Sequence, residues 1–189
     1  MTILMYCLLL LTLGVAQAQQ DPVRLRISAQ QGNKAALQGL RTLAGAGNAS
    51  AQFNLGVMYA TGEGVPKDAV QAAAWFRKAA EQGDAAAQFN LGLMYARGEG
   101  VPKDAVQAVA WYRKAAEQGD ATAQSNLGVM YSKGEGVPKD LVIAYMWRNL
   151  AAAQGDEIGK SARDALEGSM TPAQIAEAQK LSREWTPKK

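Results

Sequence analysis

The chain offers few side chains for acid–base or metal chemistry. It contains 20 lysine and arginine residues, 17 aspartate and glutamate residues, no histidine and one cysteine, Cys7. Imidazole is the usual catalytic base and a main ligand of zinc and copper, so its absence excludes Ser–His triads and nearly all such metal sites. Carboxylates, lysines and amides remain. We therefore expect no catalytic residues, no metal and no cofactor.

The most regular acidic groups lie in three copies of Gly-Glu-Gly-Val-Pro-Lys-Asp, at 62–68, 98–104 and 134–140. These segments lack the length and the trailing Lys-Ser/Thr of a phosphate-binding loop, and the alternating acidic ligands of a calcium loop. A glycine that ends one helix, a proline that cannot continue it and an aspartate that caps the next helix explain the motif better. We interpret the segments as connectors with solvated glutamates.

The positions of these connectors follow from an internal repeat. Ala-Gln-x-Asn-Leu-Gly-x-Met-Tyr begins at residues 51, 87 and 123, a period of 36 residues, and segments 51–86 and 87–122 differ at only five positions. A fixed period of this length indicates stacked supersecondary units that bury their apolar faces against neighbouring units. The fold class is therefore predicted to be all-α.

Each unit has the pattern of two helices joined by the connector. In the second unit, Ala87, Leu91 and Tyr95 form one apolar face, and Trp111 is expected to point inward from the second helix. A glycine in mid-helix costs about 1 kcal/mol relative to alanine, so its repetition predicts close backbone approach. The predicted structural residues are these glycines and a continuous aromatic core: Gly56, Tyr59, Trp75, Gly92, Tyr95, Trp111, Gly128, Tyr131 and Trp147.

The repeated pattern A-x-x-x-L-G-x-x-Y-x-x-G-x-G-V-x-x-D-x-x-x-A-x-x-W-x-x-x-A-A-x-x-G resembles Sel1-like repeats, which are relatives of tetratricopeptide repeats with a longer interhelical loop. The resemblance implies an α/α superhelix, or solenoid, with a concave groove. It also implies a role in protein–protein contact and assembly, commonly in bacterial envelope or secreted proteins.

The whole chain can be divided on this basis. Thr171-Pro-Ala-Gln174 has the pattern of a capping box with proline at the first helical position, which opens a last helix. The predicted segments are a signal peptide (1–18), a degenerate N-terminal capping unit (19–50), three Sel1-like repeats (51–86, 87–122 and 123–157), and a C-terminal helical cap with its tail (158–189).

Met1–Ala18 differs in composition from the rest of the chain. It has no charged side chain, an apolar run from Leu8 to Leu13, and ends in Ala16-Gln17-Ala18. This pattern is typical of a secretory signal, although a basic residue before the apolar run is missing and a short membrane anchor is the alternative. We expect a mature chain that starts at Gln19, lacks cysteine, is periplasmic or secreted and has no stable membrane insertion.

The resemblance also suggests where a partner binds. Aligned on the tetratricopeptide pattern, positions 53/89/125, 54/90/126 and 57/93/129 face the groove, and an asparagine at the middle position bonds the ligand backbone in peptide-clamping relatives. The alternative is that these asparagines tie one helix to the next. Basic residues at the end of the first helix also suit its dipole. The candidate partner-binding residues are Phe53, Asn54, Phe89, Asn90, Arg97, Asn126 and Lys133.

The sequence therefore favours a non-enzymatic scaffold or regulator of the bacterial envelope that binds a peptide or loop of another protein. A net charge of +3 without a basic stripe argues against nucleic acid. Two alternatives remain: a cell-wall or glycan binder, and a β-lactamase-like secreted Sel1-repeat enzyme. The second is disfavoured because the repeated disulfides of such proteins and a Ser-x-x-Lys motif at a helix start are missing.

Overall fold

A computed structural model describes residues 21–188, and this part of the chain is all-α, with no β-strand. The predicted signal segment and Cys7 lie outside the described residues. The described helices are α1 (Pro22–Gln30), α2 (Lys34–Gly45), α3 (Ala49–Thr61), α4 (Ala69–Glu81), α5 (Ala85–Arg97), α6 (Ala105–Glu117), α7 (Ala121–Lys133), α8 (Leu141–Ala153), α9 (Glu157–Glu167) and α10 (Pro172–Glu184).

The chain divides into two compact units at the bond between Gln82 and Gly83. In the N-terminal unit, α1 and α2 form a hairpin with a short connector, and both pack against α3. Leu40, Leu55 and Met58 are fully buried in its core. Helices α3 and α4 are the first full helix–loop–helix repeat.

The C-terminal unit contains two further helix–loop–helix pairs, α5–α6 and α7–α8, followed by α9 and α10, which both pack on α8. The contact between α8 and the C-terminal helices is aromatic and polar. Trp147 meets Trp185 edge to face with ring centroids 6.0 Å apart, and Tyr145 donates to Glu167 at 2.8 Å. The apolar α8 is therefore covered by the cap, as its sequence indicates.

Capping explains where these helices begin and end. The connector prediction is confirmed in the second repeat, where Gly98 has a left-handed backbone (φ 74°) and donates its N–H to Met94, while Asp104 accepts from the N–H groups of Val106 and Gln107. The capping box of Thr171 and Gln174 is also present, with a proline at the start of α10. Local sequence therefore sets these boundaries.

The predicted packing around the mid-helix glycines is wrong in one respect. A Cβ on Gly92 would lie 2.8 Å from the ring of Tyr112, so the residue after the tryptophan fills the space beside the glycine. Tyr112 is 2% exposed, whereas Trp111 is only half-buried and carries Lys114 over its ring at 4.0 Å. Tyr112 follows Ala108 by four residues, which places both on the inward face.

The same correction applies to Trp75 in the first repeat, whereas Trp147 in the third lies in the core. In the N-terminal unit, Phe76 lies against Gly56 and is buried, while Trp75 is half-buried with Lys78 over its ring. Trp147 is buried at 6% exposure. The remaining aromatics pack against the cores but keep partial exposure: Tyr59, Tyr95 and Tyr131.

A glutamine network inside each unit was not predicted. In the C-terminal unit, the buried Gln124 donates to the carbonyl of Ala116 at 3.1 Å and accepts from Gln154 at 2.9 Å. In the N-terminal unit, Gln52 makes the equivalent bonds with Ala44 and Gln82. Each glutamine joins the start of one repeat's first helix to the end of the helix before it.

Candidate partner-binding face

The first helix of each repeat, here called helix A, is α3, α5 or α7, and the second, helix B, is α4, α6 or α8. The predicted asparagines lie on helix A but differ in their surroundings. Asn54 is only 4% exposed, donates to the Ser50 carbonyl at 2.8 Å and accepts from Nε of Arg26 at 2.7 Å. Its amide is fully used within the chain. This contradicts the prediction that Asn54 presents a free amide to a partner.

Asn90 and Asn126, both in the C-terminal unit, are partly exposed. Each donates Nδ2 to a carbonyl of its own helix, at 2.8 Å to Ala86 and at 3.0 Å to Thr122. No described residue donates to either amide oxygen. These two oxygens are therefore hydrogen-bond acceptors available to another molecule.

The predicted phenylalanines pack inside their own repeats. Phe53 lies against Phe76 with ring centroids 5.8 Å apart, and Phe89 lies against Tyr112 at 5.9 Å. Both phenylalanines remain partly exposed. Offset aromatic pairs of this kind add stability beyond the buried area. Their first role here is to close the space between helix A and helix B.

The third repeat has neither ring of this pair. Ser125 and Arg148 occupy the positions of Phe89 and Tyr112, and both are 8% exposed. A Cβ on Gly128 would lie 2.7 Å from Cγ of Arg148, so the arginine stem covers the glycine as Tyr112 covers Gly92. Sequence reasoning missed this site, although its signal was visible in the alignment of the repeats.

The predicted basic residues lie at the exposed ends of helix A. Arg97 pairs with Glu99 at 3.7 Å and Lys133 pairs with Glu135 at 3.8 Å, and all four side chains are more than half exposed. Exposed pairs of this kind contribute little to stability. Because each base has its own glutamate nearby, the positive charge at this end is partly compensated.

Burial changes the ionisation of two groups in the C-terminal unit. Desolvation raises the pKa of Tyr112 to about 12, with a small opposing contribution from the charge of Arg97. Desolvation also lowers the pKa of Arg148, opposed by the charge of Asp156. Neither group lies in a cluster of carboxylates. Within residues 21–188, no group of three or more acidic or cysteine side chains is placed to hold a metal ion.

The fold and the repeated contacts define the class of the protein, which is an all-α chain built from helical repeats. The family model described as Sel1 repeat matches residues 49–84, 85–120 and 121–156, and the chain belongs to this family. The matched units begin two residues before the predicted ones. They start where helix A starts, directly after the capping residues Asn48, Asp84 and Asp120.

Solved structures support the assignment. The chain is similar to a Sel1 repeat protein from Oxalobacter formigenes, with 44% identity, a TM-score of 0.63, and coverage of 68% of this chain and 97% of that one. It is also similar to c5321, described as a protective antigen of uropathogenic Escherichia coli with an SLR fold. That match has 33% identity and a TM-score of 0.62, and covers 89% of this chain and 46% of that one. No curated protein matches the chain.

Membership of the family carries a coarse functional statement. Sel1 repeats generally mediate protein–protein interactions and generally form non-catalytic scaffolds. Among the described helices, none has the length and the apolar character needed to cross a bilayer.

Proposed function

We propose that this chain is a non-enzymatic interaction protein of the bacterial envelope, as scaffold or regulator, and that it binds a segment of a partner protein on the helix-A face of its C-terminal unit. This face is formed by Phe89, Asn90, Arg97, Asn126 and Lys133. The observation that carries the proposal is the unused amide oxygens of Asn90 and Asn126.

The equivalent asparagine in the N-terminal unit shows what an amide at this position can bind. There, the equivalent Asn54 accepts a hydrogen bond from Arg26, a residue of the preceding helix α1. An amide at this position therefore has the right geometry to receive a donor that lies across helix A. On α5 and α7 the donor would come from the partner, as a backbone N–H or a basic side chain.

The size of each contact sets the design of the test. A hydrogen bond to a group that is already solvated contributes only about 0.5–1.5 kcal/mol net, so one substitution on this face can be silent. We therefore combine Asn90→Ala, Asn126→Ala and Lys133→Glu in one variant. We expect crosslinked or affinity-captured partner to fall sharply while the melting curve stays unchanged.

A matched control places the same types of change away from helix A. Gln71→Ala, Gln107→Ala and Lys103→Glu also remove two amides and reverse one charge, at exposed residues on or just before helix B. This variant should capture the partner as the native protein does. Full capture by the folded helix-A variant would refute the proposed face. Sedimentation with purified peptidoglycan in place of protein capture would favour the glycan-binding alternative.

Export is a separate part of the proposal, because it rests on Met1–Ala18 alone. We expect the protein recovered from the periplasm or the medium to begin at Gln19. Mass spectrometry of the purified native protein gives this N-terminus directly. A cytoplasmic protein that retains Met1–Ala18 would contradict export without affecting the proposed binding face.

A further inference from the structure

The third repeat keeps a charged group where the first two repeats bury an aromatic ring. Arg148 is only 8% exposed, and its stem lies in close contact with Gly128. Nε of Arg148 is, among the described residues, the one buried side-chain nitrogen or oxygen without a hydrogen-bond partner. Such an atom is costly to bury, so its retention needs a reason other than packing.

The charge of Arg148 is also not neutralised inside the described chain. No described carboxylate forms an ion pair with it. Asp156, the acidic group that acts on it through space, uses its carboxylate to accept from the N–H of Ile158 at the start of α9. The terminal nitrogens of Arg148 also lack a hydrogen bond to any described residue, yet they are not buried as Nε is. The guanidinium therefore keeps contact with solvent through its tip.

The residue beside this position on helix A is small. Phe89 covers Tyr112 with its ring in the second repeat, whereas Ser125 brings only a hydroxyl to the equivalent place in the third. The accessible part of Arg148 is its terminal nitrogens, and an anion satisfies both their N–H donors and the positive charge, whereas a neutral acceptor satisfies only the donors. A planar guanidinium binds a carboxylate through two parallel hydrogen bonds, and a serine hydroxyl can donate a third.

We propose that Ser125 and Arg148 form a carboxylate-binding site in the third repeat, which anchors an acidic group of the partner segment. The inference rests on the proposed function, because the carboxylate belongs to the segment bound along helix A. It differs from that proposal in naming the chemistry of one anchor. The compensated bases Arg97 and Lys133 are weaker candidates for this role, since each already has a glutamate beside it.

The carboxylate can come from an acidic side chain or from a chain terminus, and three short peptides separate the possibilities. Acetyl-Gly-Glu-Gly-amide carries a side-chain carboxylate, acetyl-Gly-Gly-Gly carries a terminal one, and acetyl-Gly-Gln-Gly-amide is the neutral control. Each is titrated into the full ¹⁵N-labelled protein while the Nε–H resonances of the arginines are recorded. The resonance of Arg148 is identified by its loss in Arg148→Met.

We expect a saturable shift of the Arg148 resonance with at least one carboxylate peptide, and binding of the glutamine peptide that is weaker by about tenfold or more. The peptide with the larger effect identifies the source of the carboxylate. Equal shifts with the glutamine peptide, or no saturable shift with either carboxylate, would overturn the site.

A second variant protects the test against misfolding. Ser125→Phe with Arg148→Tyr restores the aromatic pair that already folds in the second repeat, so the unit should remain intact. In this variant the carboxylate peptides should lose their effect on the backbone amides of α7 and α8. Unchanged amide shifts in it would place their binding elsewhere and refute the inference.

The failures of the two proposals are distinguishable. If the helix-A variant loses the partner but the carboxylate peptides leave Arg148 unchanged, the anchor is wrong and the binding face stands. If the helix-A variant still captures the partner, the binding face is refuted, and so is the role of Ser125 and Arg148 as a contact to that partner.

Discussion

The second and third repeats share one backbone plan but fill the space behind the helix-A glycine differently. In the second, Tyr112 lies beside Gly92 and its ring contacts Phe89. In the third, the stem of Arg148 lies beside Gly128, and Ser125 occupies the position of Phe89. The first arrangement buries the Tyr112 ring against a partly exposed Phe89, and the second buries an arginine with an unpartnered nitrogen. One position in the repeat is thus used for packing in one copy and for charge in the next.

This contrast shows which part of the repeat can change. The glycine needs a flat or slender neighbour, and a tyrosine ring or an arginine stem meets that requirement. The tip of that neighbour is not constrained by the glycine. Repeats with one backbone plan can therefore keep their fold while one of them acquires a different chemical group at this position.

The largest expected effect is the loss of the buried ring in the second repeat. Tyr112→Ala removes a fully buried side chain that contacts Phe89 and Gly92, and should cost about 3–5 kcal/mol of unfolding free energy. Trp111→Ala, one residue away on the same helix, should cost less than half as much because Trp111 is only partly buried. Chemical denaturation measures both. A greater loss for Trp111→Ala would reverse the assigned register of α6.

The ionisation of Tyr112 gives the next effect. Its pKa is about 12 in the folded chain and about 10 when unfolded, so the unfolded state releases its proton first as the pH rises. The stabilisation is complete below pH 10 and is lost between pH 10 and 12, by roughly 3 kcal/mol. Tyr112→Phe should remove this loss, as Phe76 fills the equivalent place in the first repeat. The same fall in unfolding free energy between pH 10 and 12 for the native chain and for Tyr112→Phe would contradict this prediction.

Restoring the aromatic pair in the third repeat should stabilise it. Ser125→Phe with Arg148→Tyr replaces a desolvated charge by rings that pack in the second repeat, and we expect a gain of about 1–3 kcal/mol. Thermal unfolding of the native and doubly substituted chains measures it. A loss of stability would mean that Arg148 supports the fold rather than a ligand.

The smallest expected effect comes from the glycines themselves. Gly92→Ala places a methyl group 2.8 Å from the Tyr112 ring, and the overpacking should exceed the helix-propensity gain, for a net loss of about 1 kcal/mol. Gly45→Ala, at the end of α2 with nothing within 4 Å of its new Cβ, is the control and should stabilise by up to about 1 kcal/mol. Similar melting temperatures for the two variants would refute close packing at Gly92.

Most of the fold could be predicted from the 36-residue repeat and its capping residues. Asp104 and Gly98 set helix ends through local hydrogen bonds, which depend on residues a few positions away and can be recognised from the sequence. The burial of Tyr112 in place of Trp111 could not be predicted from the sequence, because it depends on the rotation of α6 against α5. A period of 36 residues does not fix that rotation.

The candidate site was predictable only in part. Asn90 and Asn126 lie on helix A with unused amide oxygens, as the repeat suggests. The hydrogen bond from Arg26 to the oxygen of Asn54 could not be predicted, because Arg26 belongs to the degenerate first hairpin and the repeat does not define the register of that hairpin. Whether the remaining residues bind a partner stays a prediction. The buried place of Arg148 beside Gly128 became apparent only from comparison of two repeats in three dimensions.

The contact between the chain's last described residues and α6 has a kinetic consequence. Hydrogen bonds such as Gln154 to Gln124 join residues 30 apart, so each closes a short loop and can form soon after its helices. The tail is different, because Lys188 reaches back across two later helix pairs to bond the backbone and side chain of Glu117. We therefore expect that contact to form only after α7–α10 have packed, and to open before the hydrogen bonds between neighbouring repeats.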